Sequence, residues 1–136
     1  MNPRRPFRGL GSARKTRRTL ERGGTGAAAE LNQTLGNWPR VKITPMFGRW
    51  GYFVGPRLFA CFPLRPKDTD LWIRLGPEDQ RRALAAGCSP HRRMSATGWV
   101  ECRVEAPRDV GRAIRWLRRA YESAKLAVER EEREGA

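Results

Sequence analysis

Residues 41–75 read VKITPMFGRWGYFVGPRLFACFPLRPKDTDLWIRL, and the alternation inside this stretch decides the fold. Val41 and Ile43 oppose Lys42, and Tyr52 and Val54 flank Phe53. Leu58, Ala60 and Phe62 interleave with Phe59 and Cys61, while Leu71, Ile73 and Leu75 interleave with Trp72 and Arg74. A period of two sends successive side chains to opposite faces, so each run predicts a strand with one face buried. Gly55-Pro56 is a tight turn between two of the runs, as a hairpin requires. An up-and-down antiparallel meander follows.

Working outward, Ala27 to Asn37 holds good helix formers, with Leu31 and Leu35 four apart, Gly36 near the end and Pro39 barring continuation. Pro77 suits the first turn of a second helix, with Glu78 and Asp79 near its positive end and Gly87 past its close. Ser89 to Gly98 reads as a basic loop. Val100, Cys102 and Val104 then alternate with Trp99, Glu101 and Arg103 as a fifth strand. From Pro107, apolar residues recur at three- and four-residue steps: Val110, Ala113, Ile114, Leu117, Tyr121, Ala124 and Val128. That stripe predicts a long helix lying across a sheet. Arg108, Arg112, Arg115 and Arg119 fall on its other side, and the charged stretch Glu129 to Glu134 is expected to fray. The expected class is α+β, an antiparallel sheet of about five strands flanked by three helices mainly on one face. This domain occupies residues 26–136. Residues 1–25 have too few large apolar side chains to offset ordering and are expected to form a disordered basic arm.

Met46-Phe47-Gly48, Gly51-Tyr52-Phe53-Val54, Leu58-Phe59-Ala60 and Leu71-Trp72-Ile73-Arg74-Leu75 come in the order seen in a known family. Pro77-Glu78-Asp79, Met94 and Trp99-Val100-Glu101-Cys102-Arg103-Val104 continue it. The chain resembles the TfoX/Sxy amino-terminal domain and, more distantly, the YjbR/MmcQ group, over roughly Ala27 to Ala127. Met-Phe-Gly followed by Gly-Tyr is the specific part. The resemblance implies a small regulatory protein related to competence regulators. Two departures stand out. Such regulators carry a second, helical carboxy-terminal domain that this sequence stops short of, and the arginine-rich amino-terminal extension is not required by the family pattern.

The 136 residues suffice for one domain and a tail. There are 28 basic and 14 acidic residues, a formal charge of +14, and half of the excess lies in the arm. There Arg4, Arg5, Arg8, Arg14, Lys15, Arg17, Arg18 and Arg22 face Glu21 alone. So dense a positive field attracts polyanions, chiefly nucleic acid or an anionic lipid surface; the alternative is a solvated arginine-rich surface. Cys61, Cys88 and Cys102 are odd in number and lack metal-ligand spacing. Cys61 and Cys102 lie in strand-like runs, where a free cysteine acts as a small buried apolar group, and the set reads as a reducing compartment without a disulfide framework. No run approaches the ~18 apolar residues of a membrane helix, and the amino terminus lacks the apolar core of a secretory signal. A cytoplasmic location is expected, with no membrane partner.

Catalytic chemistry finds no footing. His91 is the only histidine and reads as an exposed loop residue beside Arg92 and Arg93. One histidine and scattered cysteines do not make a metal set, so no metal is expected. Gly24-Thr25-Gly26-Ala27-Ala28-Ala29 mimics a dinucleotide fingerprint but follows no strand, and reads as linker. No catalytic residue, cofactor or small-molecule substrate is expected. Trp50, Trp72 and Trp99, near Arg49, Arg74 and Arg103, could form a stacking platform for single-stranded nucleic acid. Cover by a helix or by a partner protein is the alternative reading. The binding residues are therefore expected to be the eight basic residues of the arm with Arg108, Arg112, Arg115 and Arg119, and the partner nucleic acid, DNA foremost. The alternative function is a protein-interaction module. Folds like this one resemble secretion-chaperone scaffolds, which dimerise or dock partners through a sheet or helix.

Overall fold

Two-residue turns and alternating side chains build the meander that the sequence predicts. The structure is a computed structural model that describes residues 26–105 and 107–135. Helix α1 (Gly26–Gly36) leads into β1 (Val41–Met46), β2 (Arg49–Val54), β3 (Arg57–Pro63) and β4 (Asp70–Arg74). Helix α2 (Pro77–Ala85), β5 (Ser89–Pro90), a 3-10 turn over Ser95–Thr97, β6 (Trp99–Arg103) and α3 (Pro107–Gly135) complete the chain. All neighbouring strands pair antiparallel, in the order β1-β2-β3-β4-β6-β5. The class is α+β with three helices, as expected, and the sheet has six strands.

Directly opposed residues share a face, so the register defines the buried layer. Trp50 lies opposite Phe62, Tyr52 opposite Ala60, Ala60 opposite Ile73, Ile73 opposite Val100, and Leu71 opposite Cys102. All of them belong to one core, into which α1 inserts Leu31 and Leu35 and α3 inserts Leu117 and Tyr121. Tyr52 also donates its hydroxyl to Asn32 Oδ1 at 2.7 Å, tying β2 to α1. Strict alternation fails at Phe59. Tyr52 faces Ala60 but Phe53 faces Leu58, leaving Phe59 as the extra residue of a β-bulge. The bulge turns Phe59 into the core, where its ring meets Tyr52 and Tyr121 at 6.4 and 6.0 Å.

The predicted loop from Ser89 to Gly98 is where the structure corrects the sequence reading most. Ser89 and Pro90 pair with Glu101 and Val100 as the short edge strand β5. That register sets Cys88 beside Cys102, and the two form a disulfide across a sequence separation of 14. The expectation of three unpaired cysteines is therefore corrected: Cys61 is the free one, and it is buried. His91, expected exposed, is only 7% exposed. The same edge strand carries it under Trp72, the two rings standing 4.6 Å apart and edge to face. Its Nδ1 accepts the backbone N–H groups of Arg93 and Met94, both at 3.2 Å, which shapes the loop.

Candidate nucleic-acid interface

Helix α3 is amphipathic along its length, and packing fixes which way it faces. Val110, Ala113, Leu117, Ala120, Tyr121, Ala124 and Val128 are buried against the sheet and α1. The Tyr121 hydroxyl anchors this orientation by donating to Pro39 O at 2.8 Å, and Trp38 packs on its ring at 5.1 Å. Residues of opposite helical phase must then face solvent. Arg108, Arg112, Arg115 and Arg119 are all exposed.

These four arginines are not equivalent. Arg119 makes a two-pronged pair with Asp79 of α2, Nε to Oδ2 at 3.1 Å and Nη2 to Oδ1 at 2.9 Å. That hydrogen bond first, and the carboxylate's charge second, push the Arg119 guanidinium above its ordinary pKa. Arg82 of α2 pairs with Glu78 at 2.8 Å and approaches Asp79 at 3.9 Å. Arg108, Arg112 and Arg115 hold no ion pair among the described residues. Between α2 and α3 runs a groove of about 570 Å³ with Arg82, Arg112, Arg115 and Arg119 on its walls and Trp116 and Ala86 lining it. Arg112 and Trp116 continue into an adjoining hollow of about 280 Å³ that also takes in Arg103 and Arg108. Six arginines thus outnumber Asp79, Glu105 and Asp109, the acidic residues of the two hollows, and leave a net positive surface beside the apolar Trp116.

The family follows from the chain as a whole. The TfoX N-terminal domain model matches residues 33–124, from inside α1 to the middle of α3. The chain belongs to the TfoX N-terminal domain family. No curated protein and no solved structure matches it.

For this TfoX-domain protein, the structure brings together Arg108, Arg112, Arg115 and Arg119 of the expected binding residues. Arg4, Arg5, Arg8, Arg14, Lys15, Arg17, Arg18 and Arg22 lie outside the described residues. The tryptophan platform is not assembled. Trp50 and Trp99 are buried at 3% and 6% exposure. One face of Trp72 is covered by Arg49, whose guanidinium carbon stands 3.7 Å from the ring centre. Arg49 is itself held in place. It donates to Asp70 Oδ2 at 3.1 Å, to Cys61 O at 3.2 Å and to Cys61 Sγ at 3.3 Å, and also to Asp70 O. Burial pushes the Cys61 thiol up, against the pull of Arg49, so this cluster is a structural knot. Sequence reasoning missed Arg82, Arg103 and Trp116 as parts of the two hollows. Their spacing carries no signal, because what joins them is how α2 and the end of β6 lie against α3. Among the described residues, no three His, Cys, Asp or Glu side chains gather as a metal site, and no helix is long and apolar enough to cross a membrane.

Proposed function

We propose that this TfoX-domain protein is a small, non-enzymatic regulator that binds nucleic acid, DNA foremost, through electrostatics. One observation carries the reading: Arg108, Arg112 and Arg115 stand exposed, without a carboxylate partner among the described residues, beside a groove walled by further arginines. Three guanidinium groups spread over about 10 Å of helix suit a run of phosphates, and unpaired arginines need not break an internal pair to bind them. Such contacts supply affinity and little base readout. The eight basic residues of the arm add to the same field. Trp116 and Ala86 favour a second reading, in which the groove docks a protein partner or a second copy. Salt separates the two. Affinity for a labelled oligonucleotide is expected to fall steeply between 50 and 200 mM salt, on the order of 10³-fold if six phosphates are neutralised. Absence of any salt-dependent nucleic-acid binding would transfer the groove to the protein-docking reading.

A further inference from the structure

The family motif Met46-Phe47-Gly48 places an aromatic side chain where packing cannot explain it. Phe47 is 96% exposed, and with Leu126 it is one of two exposed large hydrophobic side chains among the described residues. Phe47 and Gly48 form the two-residue turn between Met46 and Arg49, which pair directly. Both have positive φ, +50° and +77°. Turns of this kind select Asn-Gly or Asp-Gly, because a bulky side chain in the left-handed region is strained. A strained aromatic with no cover inside the fold points to a role outside it.

Its surroundings are cationic. Leu64 donates its N–H to Gly48 O at 3.0 Å, which lays the β3–β4 loop alongside the turn. Arg65 and Lys67 of that loop are exposed and hold no ion pair among the described residues. Arg49 lies opposite Pro63 and Asp70 opposite Arg103, so the same end of the sheet also carries Arg103 and the start of α3 with Arg108. Gly26 and Ala27, at the start of α1, share a cleft with Leu64, Arg65, Asp68 and Glu105 at this end too. The acidic Asp70 is taken up by Arg49, and Glu105 pairs with Arg103 at 3.3 Å, which leaves exposed Asp68 as the one carboxylate of the loop set against Arg65 and Lys67.

We infer that Phe47 is a base-stacking residue and that the nucleic acid held at this pole is single-stranded. Arg65 and Lys67 take the phosphates while an unpaired base lies on the Phe47 ring. Aromatic rings set among cations bind single strands in this manner with little regard to sequence. In an intact duplex the base faces are already covered, leaving the ring nothing to stack on. The inference rests on the nucleic-acid reading above and narrows its ligand.

The test uses the full chain, Phe47→Asn and Phe47→Trp, with an oligonucleotide carrying 2-aminopurine, single-stranded or annealed to its complement. Asparagine suits the turn, so Phe47→Asn should melt no lower than the natural protein. It should nevertheless bind the single strand about 5- to 150-fold more weakly, as loss of one stacked base requires. Its salt slope should be unchanged, and the 2-aminopurine quenching seen with the natural protein and Phe47→Trp should vanish. Equal single-strand binding and equal quenching by Phe47→Asn would overturn the Phe47 inference and leave the nucleic-acid reading standing. No salt-dependent binding of either form by the natural protein would overturn both. Phe47-dependent binding to phosphatidylserine vesicles in place of the oligonucleotide would overturn both in favour of a membrane surface.

Discussion

Reversing Arg108, Arg112 and Arg115 together to glutamate separates an interface from a solvated helix face. Each phosphate contact contributes about −0.9 to the slope of log affinity against log salt on duplex DNA. Three lost contacts should therefore flatten the slope by about 2.7, and a fourfold rise in salt should cost the variant about 40-fold less affinity than the natural protein. At low salt the variant should bind more weakly still, because three repulsions replace three attractions. The fold should survive. All three side chains are exposed and hold no ion pair among the described residues, so the thermal midpoint should move by no more than a few degrees. Fluorescence anisotropy at several salt concentrations reads the slope, and circular dichroism reads the melt. Arg119→Glu is the internal control. It breaks the pair with Asp79, so it should lower the midpoint while changing the slope less than any of the three. A triple variant that binds with an unchanged slope would show that the helix face is a bystander. A slope abolished by Arg119→Glu alone would show that the pairing pattern does not predict which arginines are available.

Leu117 is fully buried at the middle of the α3 stripe, so Leu117→Ala should cost roughly 2–5 kcal/mol, while exposed Arg115→Ala should cost under about 0.5 kcal/mol. Denaturant melts giving equal losses would mean that the helix is rotated. The Cys88–Cys102 bond closes a loop of about 15 residues, so adding a reductant should lower stability by about 3 kcal/mol, and Cys88→Ser should abolish that response. Burial raises the Tyr52 phenol above its ordinary value of 10.0. The unfolded chain then loses that proton first as pH rises, so Tyr52's share of stability is complete below pH 10 and is lost above it. Cys61, also raised by burial, contributes to the same slope, so the measurement is the difference between the natural protein and Tyr52→Phe. Identical alkaline slopes in the two would refute the assignment.

Elements defined by local periodicity were legible in the sequence. The α3 stripe, the proline at the start of α2 and the Gly55-Pro56 turn each act over a few residues, and all three stand where the spacing puts them. Phe59 was misassigned because a bulge adds one residue to one strand, and only the partner strand reveals it. The two-residue β5 is too short to have a period. With it went the Cys88–Cys102 pair and the burial of His91, since both depend on Ser89 lying opposite Glu101. The four α3 arginines were legible as a stripe. That Arg119 is held by Asp79 was not, because those residues are 40 apart in sequence and meet only when α2 settles beside α3.

The two borders of the sheet bear on how this protein assembles. One border, β1, places Lys42 and Pro45 among six residues, and the other, β5, is two residues long and ends in Pro90. A proline has no N–H to offer a neighbouring chain, and a lysine resists being stacked on its own copy. Both borders are poor templates for a further strand. Both devices work against growth into cross-strand polymers. Edge-to-edge pairing is thus the route to self-association that this sheet disfavours, and the faces of the sheet and helices are not blocked in the same way.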